Sequence, residues 1–296
     1  MSDLANPYEK FAYAYDRIMY NVDYPRWEEY INDLFLRNNH QPQKMLDLAC
    51  GTGQLTMLLA KRGYEMWGVD RAEGMLKIAR QKTEQLNLKI EFQQGDMRDF
   101  DLPQKFDTIV CTYDSINYMI DEQEFETACR NVSNHLEISG VFIFDVTTER
   151  NIVKHFHSQT FAENDQDYSY IWQNIYTYAD KLCRTSLTFF IREGDLFRRF
   201  EEMHIQRIFG PVSEDVLAVA RVKFTSHDSG GSDASNDPIV NIIANCDRFF
   251  ITNKAFFITS NDANAALSFF SQLLLDGVHR VVVNRVDAQE AHHANN

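Results

Sequence analysis

The sequence predicts an α/β fold: a doubly wound, mostly parallel sheet with an antiparallel β insertion acting as a lid. Three observations carry this. Apolar strand-like runs alternate with amphipathic helical runs between residues 44 and 146, the pattern of a parallel sheet with helices on both faces. The first run, Met45-Leu46-Asp47-Leu48-Ala49, breaks into a glycine turn, Cys50-Gly51-Thr52-Gly53, with an apolar helical segment directly after it. A later run ends in Asp70, nineteen residues beyond Gly51, about the length of one βαβ unit.

The elements follow in order. Tyr8 to Tyr20 carries Phe11, Tyr15, Ile18 and Met19 at helical spacing, and Tyr24 to Leu36 repeats the pattern with Trp27, Tyr30, Ile31, Leu34 and Phe35. Two helices therefore precede the first strand. Strands are expected near 44–49, 65–70, 88–93, 106–111 and 140–146, with helices near 54–62, 73–86 and 122–136. From Tyr168 the pattern turns β-rich. Leu182 to Ile191 and Leu196 to Phe209 flank Arg192-Glu193-Gly194-Asp195, a turn of hairpin length. Residues 226–238 read as an exposed loop. Asp247 to Asn253 reads as the final strand, Ala263 to Leu275 as a packed helix, Val281-Val282-Val283 as a short strand, and 288–296 as disordered. The chain thus divides into N-terminal helices (1–43), an α/β core (44–150), the insertion (160–209), the end of the core sheet (210–256) and an extension of no assigned role (257–296).

Composition limits the function. The chain has 296 residues, 44% of them hydrophobic, and a formal net charge of −14. Nucleic-acid binders present basic patches; this balance disfavours nucleic acid as a partner. No run approaches the roughly 18 apolar residues of a membrane span, and Met1 to Lys10 lacks a signal-peptide core. The expected location is cytoplasmic. The five cysteines are scattered and form no C-x-x-C pair, so neither a disulfide framework nor a zinc site is expected. His292 and His293 have no ligand pattern beside them, and no metal is expected.

The glycine turn is the centre of the functional reading. Glycine permits a sharp turn and a close ligand approach, and the following helix offers unpaired N–H groups. A dinucleotide turn starting at Gly51 would place glycine or alanine at position 56, which is Thr56. With Asp47 inside the strand end, this favours a nucleotide-like ligand without a pyrophosphate and disfavours nicotinamide redox chemistry.

The motif Asp47-Leu48-Ala49-Cys50-Gly51-Thr52-Gly53, followed by Gly68-Val69-Asp70 and Met75-Leu76, resembles the class I S-adenosylmethionine-dependent methyltransferases. Gln94-Gly95-Asp96-Met97-Arg98, Phe106 to Cys111 and Ser139 to Asp145 resemble further pieces of that family in the same order. The resemblance covers roughly residues 8 to 150. It implies a Rossmann-like, seven-stranded sheet and S-adenosylmethionine as methyl donor, with S-adenosylhomocysteine as product. It implies that Asp70 holds the ribose diol, with Arg71 beside it, and that Asp47 lies near the methionine ammonium and sulfonium. Ala49, Gly51 and Gly53 would let the backbone approach. Asp96 would accept from the adenine amino group, Met97 and Met75 would flank the ring, and Cys111 would border the site. Tyr15 and Trp27, from helices that close over the cofactor, would face the sulfonium.

Each residue has a plainer reading: Asp70 as a helix cap, Asp96 as a turn aspartate, Met75 as core and Cys50 as a small turn residue. The other aromatics, Tyr8, Trp172, Tyr176 and Tyr178, read as lid and core packing. A base is needed only if the acceptor must lose a proton, and Asp114, Tyr118, Glu201 and His204 are the candidates. Glu202 and His204 share one strand face, Glu201 the other; His204 also reads as a solvent-facing sheet residue. The Asn/Asp-Pro-Pro-Tyr motif of some nitrogen methyltransferases is missing after the fourth strand, which counts against adenine or glutamine-amide methylation. The expected substrate is a small molecule. An aminopropyltransferase and a non-catalytic binding module remain the alternatives, and the insertion offers strands for a possible homodimer.

Overall fold

The structure, a computed structural model, describes Tyr8, residues 11–208 and the strand segments 216–223, 239–244, 247–248, 252–253 and 257–258. The expected loop at 226–238, the helix at 263–275, the strand at 281–283 and the tail from 288 lie outside the described residues.

Two helices, α1 (Ala12–Ile18) and α2 (Tyr24–Arg37), precede the sheet. α2 starts where the sequence demands: the Asp23 side chain accepts from the Arg26 N–H and Pro25 occupies the first turn. The alternating core follows: β1 (Lys44–Leu48), α3 (Gln54–Lys61), β2 (Glu65–Asp70), α4 (Glu73–Gln85), β3 (Ile90–Gln94), β4 (Phe106–Cys111), a 3-10 turn (Ser115–Tyr118), α5 (Glu122–His135) and β5 (Leu136–Val146).

Alternation along β1 sorts its side chains onto two faces. Leu46 and Leu48 join Ile109, Phe142 and Phe144 beneath α5 residues Phe125 and Val132. Met45 joins Val110 and Ile143 beneath α2 and α3. Each such burial contributes about 1.5–3 kcal/mol, and the sheet is thereby covered on both sides, as the sequence predicts.

After a short helix α6 (Glu149–Asn151) and a π turn come β6 (Thr160–Asn164), β7 (Tyr168–Thr177), β8 (Leu182–Glu193) and β9 (Leu196–Arg207), an antiparallel sheet in that order. The expected β8–β9 hairpin turns at Gly194-Asp195. The insertion's inner face is buried: Leu187 and Phe189 pack with Tyr168 against Phe11, Ala14 and Ile18 of the N-terminal segment. Ile171, Ile175, Met203 and Ile205 face outward. Asn117, fully buried after β4, ties this sheet to the core: its Nδ2 donates to the carbonyls of Arg207 (2.7 Å) and Thr147 (3.0 Å), and its Oδ1 accepts from Thr147 N–H.

The main sheet has the order β14-β11-β10-β5-β4-β1-β2-β3, with β10 (Val216–Lys223), β11 (Ile239–Ala244) and β14 (Phe257–Ile258) antiparallel in succession beyond β5. Among the described residues it has eight strands, where seven were expected. Three strands, β10, β11 and β14, lie beyond β5, and none of them was assigned from the sequence. Asp247 to Asn253 is not the final strand of this sheet: β12 (Asp247–Arg248) and β13 (Thr252–Asn253) pair only with each other among the described residues. The strand order reverses between β1 and β4, which opens a crevice at their carboxyl ends.

Candidate functional site

The turn after β1 is built from three left-handed residues in alternate positions: Ala49 (φ 61°), Gly51 (55°) and Gly53 (74°). Backbone bonds from Cys50 N–H to Val69 C=O (3.0 Å) and from Gly53 N–H to Cys50 C=O (2.9 Å) fix its path. A Cβ on Gly51 would meet nothing within 4 Å, because that side opens into the crevice. Gly53 starts α3 and packs on Ala79 and Phe92 instead. Ala49 holds a conformation that costs an L-residue about 1–2 kcal/mol, the kind of strain found beside ligand sites.

The crevice is a cavity of about 940 Å³ including its open mouth. Of the residues predicted for the methyl donor, Tyr15, Asp47, Ala49, Gly51, Asp70, Arg71, Met75, Asp96 and Met97 line it. Three do not. Gly53 acts through conformation and packing. Cys111 points into the apolar core beneath α5, because it shares the face of Ile109 on β4. Trp27 stands one layer back, its ring 5.1 Å from that of Tyr113, which takes the place at the wall. Among the other aromatics, Tyr8 lines the cavity. Trp172 donates to Asn174 and Tyr176 to Glu149, within the insertion and at its base, and Tyr178 is exposed. Thr112, Tyr113 and Ser115, from the stretch after β4 that the strand-end rule places toward the reacting centre, line the wall, and so does Tyr24, which the sequence reading did not single out.

Asp70 ends β2 with its carboxylate across the turn. Oδ2 accepts from Gly51 N–H (2.8 Å) and Oδ1 from Ala72 N–H (2.8 Å). It therefore joins the glycine turn to the start of α4, and it also faces the cavity. A carboxylate has about four lone-pair sites, and Asp70 presents this carboxylate to the cavity. Asp47 faces the α3 side of β1, where Thr56 Oγ1 donates to its Oδ2 at 2.5 Å. Burial pushes its pKa up to about 7; the Thr56 bond opposes this and the Asp70 charge adds to it. Asp96 accepts from the Arg98 guanidinium at 2.8 and 2.7 Å and from the Arg98 N–H, and Arg98 also pairs with Glu124. Burial raises Asp96, but the Arg98 bonds outweigh it and hold the carboxyl below its usual range. The wall thus carries three carboxylates against one guanidinium, Arg71, a field suited to a ligand with cationic groups.

The proposed bases differ in position. Tyr118 lines the cavity. His204 is not solvent-facing: it is buried behind Tyr118, whose hydroxyl lies 2.8 Å from its Nδ1. Asp114 does not line the cavity. Its carboxylate accepts from Gln206 Nε2 and its N–H donates to Asp145 Oδ2. Tyr113 (φ 60°) and Asp114 (φ 49°) are consecutive left-handed non-glycine residues, so the loop after β4 is strained where it meets the cavity. The described cysteines are free and buried, and burial raises the Cys50 thiol, which leaves it unreactive.

Comparisons with known proteins agree with this geometry. A sequence profile of the methyltransferase domain matches residues 45–140. The Bacillus subtilis (strain 168) protein YqeM, a methyltransferase by name, is 35% identical over 208 residues, which is 70% of this chain and 82% of that protein. The crystal structure of an S-adenosylmethionine-dependent methyltransferase from Clostridium acetobutylicum superposes with a TM-score of 0.61 at 36% identity, covering 69% of this chain and 83% of that one. A Streptomyces venezuelae dTDP-3-amino-3,4,6-trideoxy-alpha-D-glucopyranose N,N-dimethyltransferase is 32% identical over 123 residues, 42% of this chain and 50% of that enzyme.

Proposed function

Given that the chain belongs to the class I S-adenosylmethionine-dependent methyltransferases, we propose that it methylates a small-molecule acceptor by direct displacement. The observation that carries this reading is the roofed cavity at the β1–β4 switch point, with Asp47, Asp70 and Asp96 at successive strand ends and tyrosines overhead. Asp70 holds the ribose diol, each bond to a charged group contributing about 1.5–3 kcal/mol. Asp47 faces the cationic end of the donor, and Asp96 with Met97 and Met75 holds the adenine. The donor's methyl group then points toward Thr112, Tyr113 and Tyr118.

A sulfonium methyl is already activated, so alignment does most of the work; proximity alone supplies about 7–11 kcal/mol. Three facts support a small acceptor. The mouth is bordered by Tyr8 and Tyr15 of the N-terminal segment, which in turn packs on the insertion. The chain carries a net charge of −14, which disfavours polyanions. One relative is named for an amino sugar. An aminopropyltransferase needs an acidic pocket after β4, and Asp114 is committed to Gln206 instead. The non-catalytic module gains no support.

The test is calorimetric titration with S-adenosylmethionine. Asp70→Asn loses the charge and keeps one acceptor oxygen for the two backbone N–H groups, so the fold is checked by Tm alongside. The ribose assignment predicts binding weakened more than tenfold. Unchanged affinity would remove Asp70 from the ribose.

A further inference from the structure

We propose that Tyr118, His204 and Glu202, with Tyr8 donating to Tyr118, form a proton relay that takes the acceptor's proton into the insertion sheet; this rests on the methyltransferase reading. The four side chains are joined end to end. Tyr8 Oη lies 2.7 Å from Tyr118 Oη, Tyr118 Oη 2.8 Å from His204 Nδ1, and His204 Nε2 3.2 Å from Glu202 Oε2. They come from three parts of the chain: the N-terminal segment, the turn after β4, and β9. The Tyr8 and His204 rings meet edge to face at 4.8 Å.

The hydrogen bonds run in one direction, and Glu202 sets it. Its Oε2 accepts from Tyr8 N–H (2.8 Å) and its Oε1 from Phe11 N–H (3.0 Å). Backbone N–H groups only donate, so they stabilise an ionised, accepting carboxylate. His204 Nε2 must therefore donate to it, which leaves Nδ1 as the acceptor in the neutral ring. Tyr118 then donates to Nδ1, and Tyr8 donates to Tyr118. Glu202 is 2% exposed and His204 6%, while Tyr8 and Tyr118 line the cavity. The result is a buried carboxylate–imidazole pair behind a phenol that reaches the reacting centre, the base-and-orienter logic of activated nucleophiles.

Burial raises the Tyr118 phenol well above its ordinary value. It cannot act as a standing phenolate, and it must pass a proton on as it receives one. The step balances as follows. The acceptor's amine or hydroxyl lone pair forms the bond to the methyl carbon while the carbon–sulfur bond breaks and its electron pair stays on sulfur. The acceptor's proton moves to Tyr118 Oη as the Tyr118 proton moves to His204 Nδ1. This leaves an imidazolium paired with Glu202. Tyr118 is the catalytic residue; His204 and Glu202 are positioning residues that make it competent.

The titratable groups facing His204 are Glu202 on its own strand, Tyr118 from the turn after β4, and Tyr8 from the N-terminal segment. The first test needs no acceptor. Long-range proton–nitrogen correlation spectra of the full chain saturated with S-adenosylhomocysteine report the His204 tautomer. The relay predicts a neutral ring protonated on Nε2 and an Nδ1 resonance that shifts in Tyr118→Phe. A proton on Nδ1 in the neutral ring would overturn the relay. The second test follows labelled methyl transfer from S-adenosylmethionine to a panel of small primary amines and alcohols. His204→Gln should lower kcat about 10²–10⁴-fold, with KM for the donor within twofold. An unchanged kcat, or a wild-type protein that binds the donor but methylates no member of the panel, overturns the proton-taking role. Donor binding by calorimetry separates either result from failure of the methyltransferase reading, which would show as no binding at all.

Discussion

Asp47 carries the clearest pH dependence in the site. Burial lifts its pKa from the usual 3.8 to about 7, with the Asp70 charge adding to the rise. Raised in the fold, the group stabilises the protein fully below its unfolded value, and that contribution is lost as pH rises through about 7. The empty protein is therefore burdened by an ionised Asp47 at pH 8, and Asp47→Asn should raise Tm there. A cationic ligand reverses the preference. Below pH 7 binding must first remove the Asp47 proton, so S-adenosylmethionine affinity should fall about tenfold between pH 8 and pH 6 and stay flat in Asp47→Asn. Titrations in two buffers of different ionisation enthalpy read the proton released; a flat wild-type profile would place Asp47 away from the cationic end. At this scale the sequence was legible wherever chemistry is local. An aspartate at a strand end and a glycine in a tight turn reveal themselves. Thr56 shows the limit. Its identity argues against a dinucleotide, but its bond to Asp47 depends on α3 packing on one particular face of β1.

The glycine turn and β2 depend on one another through Gly68. A Cβ there would stand 2.6 Å from the Phe92 ring and 2.9 Å from Cys50 Sγ. Gly68→Ala should destabilise the protein by about 1–3 kcal/mol through overpacking, read by urea denaturation, and Phe92→Leu in that background should restore part of it. Full stability of Gly68→Ala would contradict the contact. Periodicity made β1 to β4 and the hairpin of β8 and β9 legible, since one buried face imposes a pattern. It misplaced the end of the sheet beyond β5, because β10, β11 and β14 come from short runs far along the chain. It also left open the rotation of α2. Tyr24 and Trp27 lie about one turn apart and both rings pack on Tyr113, yet only Tyr24 of the two meets the cavity.

Across the whole molecule, the site has a floor made by neighbours in sequence and a roof made by strangers. The floor joins Gly51 to Asp70 over nineteen residues. The roof joins Tyr8 to Glu202 over 194 and Tyr118 to His204 over 86. No local pattern encodes such pairings, which is why the cavity floor was legible in the sequence and its roof was not. α1 completes the roof: Asp16 accepts from Thr52 Oγ1 (2.6 Å) and Lys82 Nζ (2.8 Å), fixing the helix to the glycine turn and to α4. No helix among the described residues is long and apolar enough to cross a membrane. The most direct measurement is a crystal structure of the full chain with S-adenosylhomocysteine. The ribose hydroxyls are predicted on Asp70, the adenine amino group at Asp96, and the sulfur facing Tyr118 beneath α1 and the β insertion. A ligand lying elsewhere, or with its sulfur turned away from Tyr118, would contradict both the donor site and the direction of transfer.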